Sequence, residues 1–392
     1  MKKLKKITAF LLALTLVLAM TSCAQKQEEE HIHKIGVLVY DLKDEQVQAF
    51  REYLEGYIGE NFSDVDFLYS AGVTTEVEEM EFLNNAIAAG VEGVIAFNSF
   101  DLEQEVALCA SHGVYYLRPS STTAPEDFDK VADNPYFLGY FGPGNEMEYQ
   151  AGYDMGVYFA KEKISDSYFL LSGGAGTNVM HEQRAEGMLD ALQEAYGVQF
   201  DQSSMELASA SEPVSVEAGT LKVTVFPGYI GVPDVGEQAV AAFEKDPAGV
   251  VMSTIPVQAI AGSLGDASLG TVDCYTETNG ELFKNGNLKY LCGKYESIIG
   301  PAFAAMYNAV TGYSEDFRED GKAFAIQQGF WTSTDYQDFQ EKYELSSGIT
   351  LNAYSYEDLL EVCKAHNPNA TLDDLKGLAG AWDFDSAVQR RK

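Results

Sequence analysis

The 392-residue chain contains 46% hydrophobic and 22% charged residues, the balance of an ordinary globular protein. Its 26 Lys and Arg residues against 60 Asp and Glu residues give a net charge of -34, which argues against nucleic acid and anionic membrane surfaces as partners because the field would repel them. Since single hydrophobic cores stop growing at roughly 250–300 residues, the length predicts two globular units.

The N-terminus has the pattern of an export signal. Four lysines within residues 1–6 precede an apolar run from Ile7 to Met20, which is too short to span a bilayer comfortably. The run ends in LAMTSC and resembles a bacterial lipobox, although Met20 stands where such boxes usually have Leu. Residues 1–22 are therefore predicted to be a signal peptide and residues 23–33 a tether lipidated at Cys23, which would hold the protein outside the cytoplasm at the bacterial cell membrane. The alternative is an ordinary secretory signal, with Cys23 incidental.

The tether contains two candidate metal ligands, His31 and His33. The segment around them has no apolar periodicity, so both histidines are interpreted as solvated. No metal site and no cofactor are predicted from the sequence.

Four further cysteines are scattered without the spacing of a metal site. They are predicted to be buried thiols, and a disulfide between the second and third is left open because the chain is expected to be exported. These residues are Cys109, Cys274, Cys292 and Cys363.

From Lys34 onward, apolar runs of strand length alternate with amphipathic helices. Asp44 is the predicted N-cap of the first helix. The second helix is predicted to bury Val77, Met80, Leu83 and Ile87. The predicted strands of this half are KIGVLVY, VDFLYSAG, VEGVIAFN, VYYLRPS and YFLGYFG. Continuous apolar strands with helices between them predict a parallel sheet that is covered on both faces.

The pattern then repeats in the second half of the chain. A helix from about Asn145 to Lys163 leads to the strands SYFLLSGG, LKVTVFPGY, GVVMSTI, GTVDCYT and YLCGKY. The polar stretch from Gln202 to Thr220 is predicted to be an inserted hairpin, and the tail from about Phe330 carries short helices. The fold class is therefore α/β, with two doubly wound units that each bind at the carboxyl ends of their strands.

Five segments carry a resemblance to a known family: KIGVLVYD, VEGVIAFN, NEMEYQAGYDMG, LLSGGAGTNVMHEQRAEGMLDAL and the helix from Ser297 to Thr311. From Lys34 to about Trp331 the chain resembles the periplasmic-binding-protein type I family, and within it the ribose- and galactose-type solute-binding proteins of ABC importers. The resemblance implies two lobes joined by three hinge crossings, near Phe141–Asn145, Tyr295–Ser297 and Ala325–Phe330. Lobe 1 would comprise residues 34–141 and 298–325, and lobe 2 residues 142–297 and 326–392 with a C-terminal helical extension.

The glycine-rich turn after Leu171 suits either a nucleotide phosphate or a polar loop at the cleft. The fingerprint G-x-G-x-x-G has Val179 in place of its third glycine and no Gly-Lys-Ser/Thr follows, so nucleotide binding is not predicted. Arg184 stands in the first turn of the next helix, where the helix dipole disfavours a cation by about 0.3–1 kcal/mol. The resemblance implies that Arg184 binds ligand hydroxyls or carboxylates. The alternative is a local ion pair with Glu182 or Glu186.

Other strand ends supply further candidate residues, because the loops there face the cleft. A sugar needs planar polar groups for its hydroxyls and an aromatic face for its ring. The family's aromatic pair after the first strand is replaced here by DLKDEQ. Arg118, Arg184 and Lys294 together suit a ligand with an anionic group. The predicted ligand-binding residues are Tyr40, Asp41, Asn98, Ser99, Arg118, Phe141, Asn145, Asn178, Arg184, Thr254, Asp273, Tyr275 and Lys294, with Tyr40, Phe141 and Tyr275 as the aromatic face.

Enzyme motifs are missing from the sequence, which has neither G-x-S-x-G nor H-E-x-x-H. The expected function is therefore that of a monomeric, lipid-anchored receptor without catalysis. It would capture a small polar, sugar-like solute and deliver it to the permease subunits of an ABC importer. Two alternatives stay open: a surface sensory module that signals to a membrane partner, and a cleft hydrolase that uses His181.

Overall fold

Thirteen strands form two separate sheets within the residues that the computed structural model describes, 31–174, 179–230, 232–347 and 352–392. The first sheet consists of β1 (His33–Leu38), β2 (Val65–Tyr69), β3 (Gly93–Ala96), β4 (Tyr115–Arg118), β5 (Phe137–Gly142) and β12 (Phe324–Gln327). Its order is β12-β5-β4-β3-β1-β2 and every pair is parallel. All four residues of β3, at the centre, are buried, as expected for a strand covered on both faces.

The second sheet is parallel in its centre and antiparallel at both edges. It consists of β6 (Ser167–Leu171), β7 (Val214–Ala218), β8 (Leu221–Phe226), β9 (Val250–Ser253), β10 (Ser268–Cys274), β11 (Leu288–Lys294) and β13 (Trp331–Ser333). Its order is β13-β11-β10-β9-β6-β8-β7. The edge strands β7 and β13 run antiparallel to β8 and β11. The segment from Gln202 to Thr220, predicted to be an inserted hairpin, contains a short helix (Ser204–Ala208) and then the strand β7. The strand β7 pairs with β8, the strand that follows it in the chain.

Helices connect the strands and cover the sheets. In the first half they are α1 (Glu45–Arg51), continued by a π-helical segment (Glu52–Ile58) and α2 (Gly59–Asn61), then α3 (Glu76–Ala88), α4 (Leu102–Ser111) and α5 (Pro125–Val131). In the second half they are α6 (Asn145–Glu162), α7 (Val179–Tyr196), α8 (Ser204–Ala208), α9 (Pro233–Lys245), α10 (Gln258–Ala261) and α11 (Glu277–Lys284). The remaining helices are α12 (Gly300–Asn308), flanked by Glu296–Ile299, Ala309–Tyr313 and Ser314–Phe317, and α13 (Tyr336–Ser346), α14 (Tyr356–Val362), α15 (Leu372–Gly380) and α16 (Phe384–Arg390).

The chain crosses between the two sheets three times. It leaves the first sheet after β5 through residues 143–144, returns after β11 through Glu296–Ile299, and leaves again between β12 and β13 through residues 328–330. The prediction of an α/β protein with two doubly wound lobes joined by three crossings is confirmed.

One of the four residues predicted to be buried on the second helix is exposed, whereas Met80, Leu83 and Ile87 pack against the core as predicted. Val77 of α3 is 76% exposed, whereas Glu79 is fully buried beside Leu83. The backbone amide of Phe100 and the side chain of Asn98 both donate to the Glu79 carboxyl group, so α3 turns this acid inward and leaves Val77 in solvent. A buried carboxyl group is tolerated there because it is hydrogen-bonded.

The C-terminal extension, which the sequence assigned to lobe 2, is divided between the lobes: α13 contacts α11 and β13 of lobe 2, and later helices pack on lobe 1. Helices α14 and α15 contact α12, and α15 also contacts β12. The Tyr53 hydroxyl donates to the Tyr354 carbonyl at 2.9 Å. The Trp382 carbonyl accepts from the Tyr295 hydroxyl and the Trp331 indole N–H, both at 2.8 Å. The later helices of the extension therefore complete the core of lobe 1, and Trp382 is hydrogen-bonded to residues adjacent to two of the crossing segments.

All four cysteines of the described residues are buried and free. Cys274 and Cys292 lie on the neighbouring strands β10 and β11, offset by two residues in register, and are not bridged. Among the described residues, no helix is both long enough and apolar enough to span a membrane. Cys23 and the predicted signal peptide lie outside the described part of the chain.

Helices α6 and α7 cross at very short range because glycines face each other across the contact. A Cβ atom at Gly152 would overlap the carbonyl oxygen of Arg184, and one at Gly187 would overlap the carbonyl oxygen of Tyr149. Only glycine permits this approach, since any side chain would need space that the backbone of the other helix occupies. The crossing brings the start of α7 against the start of α6, which sets the position of Arg184.

We expect Gly152→Ala to lower the free energy of unfolding by about 1–3 kcal/mol, because the added methyl overpacks the crossing. Denaturant unfolding of the purified protein measures the effect. Gly56→Ala is the matched control, since a Cβ at that helical, exposed site meets nothing within 4 Å. It should be neutral or slightly stabilising, because alanine is the better helix former. Equal stabilities of the two variants would contradict the close-packing explanation.

Candidate functional site

The carboxyl ends of the parallel strands in both sheets open into one cleft of about 750 Å³. The first-lobe wall comes from segments that follow β1, β3 and β4, and the second-lobe wall from segments that follow β6, β9, β10 and β11. Strand-end loops meet at the same edge of a parallel sheet, so this is where a doubly wound fold places a ligand.

A pair of buried glutamates holds the loop after β3 on the first-lobe wall. Glu79 accepts hydrogen bonds from Asn98 (3.2 Å) and from the Phe100 amide (2.8 Å). Glu105 accepts from Ser99 (3.0 Å) and from the Tyr116 hydroxyl (2.5 Å). Burial, reinforced by Glu105, raises the pKa of Glu79 to about 9, so this carboxyl keeps its proton at neutral pH. The loop that carries Asn98 and Ser99 is thereby fixed at the rim of the cleft.

Several polar atoms of the first-lobe wall are buried and lack a hydrogen-bond partner among the described residues. Arg118 donates to the Thr123 hydroxyl at 3.2 Å through Nη1, but its Nε has no such partner. The unpartnered atoms that line the cleft are Asn98 Oδ1, Arg118 Nε, Ser120 Oγ and Ser121 Oγ. Buried polar groups are normally paired, so four at one wall indicate a surface shaped for an external partner.

On the second-lobe wall, Arg184 is buried at 5% exposure and already has partners. Its Nε donates to Glu148 at 2.6 Å and its Nη1 to the Thr254 carbonyl at 2.8 Å. Its guanidinium carbon lies 5.5 Å from the centre of the Phe330 ring. The local ion pair with Glu182 or Glu186 is therefore not the main interaction, and the partner is a fully buried glutamate from α6. Arg184 also lines the cleft.

Lys294 joins the two walls. Its ammonium group, at the end of β11, donates to the Ser120 carbonyl of the first lobe at 2.5 Å. Burial lowers the pKa of Lys294 to about 8, although the Glu148 carboxylate opposes that shift. At neutral pH most of the lysine is still protonated, so it supplies a positive charge at the junction of the lobes.

His181 lies in the same wall and is neutral. Its Nδ1 is 3.3 Å from the Gly173 carbonyl oxygen, which can only accept, so Nδ1 carries the hydrogen. Burial, and to a smaller extent the charge of Arg184, lowers the pKa of His181 to about 3. An imidazole this weakly basic is a poor general base at neutral pH.

Carboxyl groups also line the cleft. Asp273, at the end of β10, accepts from Asn279 at 2.6 Å and from Gln258. Burial raises the pKa of Asp273 to about 7, with a contribution from the charge of Asp44. Asp44 caps α1, as predicted, by accepting from the Gln46 and Val47 amides, and burial raises its pKa as well. The lining of the cleft thus combines the cations Arg118, Arg184 and Lys294 with the carboxyl groups of Asp44 and Asp273.

Eight of the thirteen predicted ligand-binding residues line the cleft: Tyr40, Asn98, Ser99, Arg118, Asn145, Arg184, Asp273 and Lys294. Asn178 lies outside the described residues. Asp41 does not line the cleft because its carboxylate turns back to accept from the Lys43 amide in an exposed loop. Thr254 is fully buried and donates to the Leu171 carbonyl, so only its backbone serves the site, through Arg184.

The predicted aromatic face needs correction at two of its three positions. Phe141 is fully buried and packs against Phe324 with ring centres 5.2 Å apart. Tyr275 is 1% exposed, stacks on Phe339 and bonds Ser333 through its hydroxyl. Both side chains point into the cores beside the strand ends instead of into the cleft. The aromatic residues that do line the cleft are Tyr40, Phe50, Phe97, Tyr229 and Phe330.

Sequence reasoning missed the hydroxyl-rich loop after β4. Ser120, Ser121 and Thr122 line the cleft between Arg118 and the start of α5. The run of four hydroxyl residues SSTT directly after a predicted strand was the available signal. Asp44, His181 and Tyr229 are further lining residues that the predicted set did not include.

We expect Arg184→Met to destabilise the unliganded protein by about 3–5 kcal/mol, because Glu148 would be left buried without its counter-charge. Adding Glu148→Gln should recover a large part of this loss, since the amide no longer carries a charge. Denaturant unfolding of both single variants and the double variant gives the coupling. Lys130→Met removes an exposed ion pair and should cost less than about 1 kcal/mol. Additive effects at Arg184 and Glu148 would contradict the dependence of one charge on the other.

No family model and no curated protein matches the sequence. Solved structures do match the fold. The periplasmic binding protein component of the arabinose ABC transporter from Shewanella sp. ANA-3, bound to α- and β-L-arabinofuranose, is 14% identical, with a TM-score of 0.56 over 79% of this chain and 94% of that chain. A carbohydrate transporter from Acidothermus cellulolyticus 11B in complex with myo-inositol is 16% identical, with a TM-score of 0.56 over 82% and 99%.

The same architecture also occurs in another setting. A putative LacI transcriptional regulator from Bacteroides fragilis is 13% identical to this chain, with a TM-score of 0.53 over 79% of this chain and 99% of that one. At these identities the likeness concerns architecture, and function has to be argued from the site. Over about four fifths of its length, the chain has the two-lobed fold of the type I periplasmic binding proteins.

Proposed function

We propose that this protein is the solute-binding component of an ABC importer, which captures a sugar-like solute carrying an anionic group in the interlobe cleft. It binds its ligand without chemical turnover and passes it to permease subunits. The observation that carries the proposal is the set of buried, unpartnered polar atoms on the first-lobe wall, opposite the charged groups of the second lobe.

The polar and aromatic residues that line the cleft support recognition of the hydroxyl groups and the ring of a sugar-like ligand. Asn98, Ser120 and Ser121 offer an amide oxygen and two hydroxyls, which suit the alternating donors and acceptors of a polyol. Tyr40 and Tyr229, which line the cleft, offer aromatic faces for the apolar side of a ring. The titles of the matched structures name arabinofuranose and myo-inositol as ligands, which supports a ligand of this general class.

Three cations in the lining support the proposal that the ligand carries an anionic group. Arg118, Arg184 and Lys294 line the cleft, and the one buried carboxylate that pairs with this set is Glu148, within the described residues. Lys294 donates to the Ser120 carbonyl, and the hydroxyls of Ser120 and Ser121 in the same loop lack partners among the described residues. A ligand carboxylate or phosphate bound at this loop would find a cation and O–H donors close by. Charge-assisted hydrogen bonds of this kind contribute about 1.5–3 kcal/mol each.

The hydrolase alternative loses support at His181. A neutral imidazole with a pKa of about 3, whose Nδ1 is bonded to a backbone carbonyl, is a poor general base at neutral pH. Incubation of the protein with any identified ligand, followed by chromatography, should return the ligand unchanged.

A thermal-shift screen with matched pairs of sugars tests the proposal. Each pair combines a sugar acid or sugar phosphate with its neutral parent. The correct ligand at 100 times its dissociation constant stabilises the protein by about 2.7 kcal/mol and raises its melting temperature. Equal shifts from both members of a pair would reject the anionic group, and no shift from any solute would reject solute capture.

We expect Lys294→Met to weaken binding of the anionic ligand by at least tenfold and to leave the stability of the unliganded protein unchanged or higher, because a buried ammonium group is replaced by an apolar chain. Titration calorimetry and thermal melts measure the two quantities. Lys161→Met, on the exposed part of α6, is the control for a general loss of positive charge. A variant at 294 that binds as tightly as the parent would remove Lys294 from the site.

We further propose that lipidation of Cys23 anchors the protein to the cell membrane. Cys23→Ser should release the protein into the medium or periplasm, because a signal peptide alone leaves no membrane attachment after cleavage. Fractionation and immunoblotting of cells that express either form provide the measurement. Unchanged membrane retention of the variant would contradict the anchor.

A further inference from the structure

A second cluster of polar side chains lies at the opposite end of the first sheet from the cleft. His33 opens β1, and Glu92 directly precedes β3, the strand that pairs with β1. His31 stands two residues before His33, and side chains two apart in an extended chain lie on the same side. The start of β1 therefore presents two imidazoles to the carboxylate at the start of β3.

The three side chains converge closely. His31 Nε2 lies 2.9 Å from Glu92 Oε1, and His33 Nδ1 lies 3.0 Å from Glu92 Oε2. One ligand atom from each residue falls within 4.8 Å of the others. The ligand atoms of a tetrahedral zinc ion, at bonds of 2.0–2.1 Å, are about 3.3 Å apart. Small side-chain shifts would thus bring all three groups to bonding distance of one ion.

We propose that His31, His33 and Glu92 bind one divalent transition-metal ion of the zinc class, with water in the fourth position. Two imidazoles and a carboxylate suit Zn²⁺, whereas Ca²⁺ and Mg²⁺ prefer sites built from oxygen alone. The net charge of -34 raises the local concentration of cations around the protein. The site is separate from the cleft and does not depend on the proposed solute.

The surroundings hold one ligand firmly and leave another accessible. The His33 backbone amide donates to the Asp64 carbonyl at 2.7 Å, and its ring packs edge-on to Tyr307 at 6.4 Å between centres. Tyr307 in turn donates to the Asp64 carboxylate at 2.8 Å. The His31 side chain is 69% exposed and borders a depression of about 370 Å³. The ion would therefore reach the site from solvent, where His33 is already held in position. By binding His31 as well, it would attach the end of the tether to the first sheet.

Without an ion, the same three residues satisfy one another, because both oxygens of Glu92 are paired with imidazole nitrogens. Hydrogen bonding alone therefore accounts for their positions, and metal binding is the additional claim.

The test is calorimetric titration of Zn²⁺ into chelator-treated protein purified without a polyhistidine tag. We expect one equivalent to bind, and Glu92→Gln, His31→Ala and His33→Ala each to weaken binding at least tenfold. Glu92→Gln preserves shape and His31 is exposed, so these two variants should fold even if His33→Ala does not. His112→Ala, at an exposed histidine whose Nδ1 is hydrogen-bonded to Ser111 and the Leu108 carbonyl, should bind like the parent.

Absence of stoichiometric binding, or equal affinity in the parent and in His31→Ala, would overturn the proposal, as would equal binding of Ca²⁺. Affinity for any cleft ligand should be the same with Zn²⁺ and with chelator. Solute capture and metal binding can therefore fail separately: the first is read by solute titration and the second by zinc titration.

Discussion

The Arg184–Glu148 ion pair is the interaction on which the second-lobe half of the cleft depends. Two charges buried this deeply are stable only while they neutralise each other, so α6 and α7 must stay in contact at this point. The glycines of the crossing permit that contact. The same guanidinium holds the Thr254 carbonyl at the end of β9 and lies over Phe330 in the third crossing segment. One side chain thus joins a helix pair, a strand end and the connection between the lobes.

The two walls of the cleft differ in whether their polar side chains already have hydrogen-bond partners within the protein. On the second lobe, the charged groups already have internal partners, so their positions are set before any ligand arrives. On the first lobe, the loop backbone is fixed by the Glu79 and Glu105 carboxyl groups, while polar atoms at its surface are left unpaired. Each unpaired buried group costs about 1–3 kcal/mol, which a ligand with matching groups recovers. Lys294 and the Thr122–Glu148 hydrogen bond both connect the two walls.

Much of the architecture could be predicted from sequence because it depends on local patterns. Apolar runs of strand length separated by amphipathic helices identified the parallel strands, and their ends identified the segments that border the cleft. The direction of individual side chains could not be predicted in this way. Phe141 and Tyr275 occupy strand ends, but in both the ring points into the core. Successive residues of a strand point to opposite faces of the sheet, so a shift of one residue decides whether a side chain enters the core or the cleft. The alternation of apolar residues does not predict this direction at the last residue of a strand.

Hydrogen-bond and ion-pair partners that are distant in sequence could not be predicted either. Glu148 is 36 positions from Arg184, and the dipole argument that singled out Arg184 suggested only neighbours on its own helix. Glu79 replaces Val77 on the inner face of α3 because a loop 21 residues away donates hydrogen bonds to it. Hydrophobic patterns do not encode such contacts. From its polarity alone an acidic residue is predicted to be exposed, and its burial depends on hydrogen-bond donors that are distant in sequence.

The docking of the C-terminal extension has a consequence for the order in which the chain folds. The core of lobe 1 combines side chains from β1 and α1 with Phe303, Tyr354 and Leu375, which are synthesised about 250 or more residues later. Most of lobe 2, by contrast, lies within one uninterrupted stretch, residues 145–294. Contacts of high sequence separation form late because loop closure must precede them. Translation of lobe 1 begins first, but its core can be completed only after the C-terminal helices have been synthesised. The same step brings the Trp382 carbonyl to its hydrogen bonds with Tyr295 and Trp331, beside two of the crossing segments.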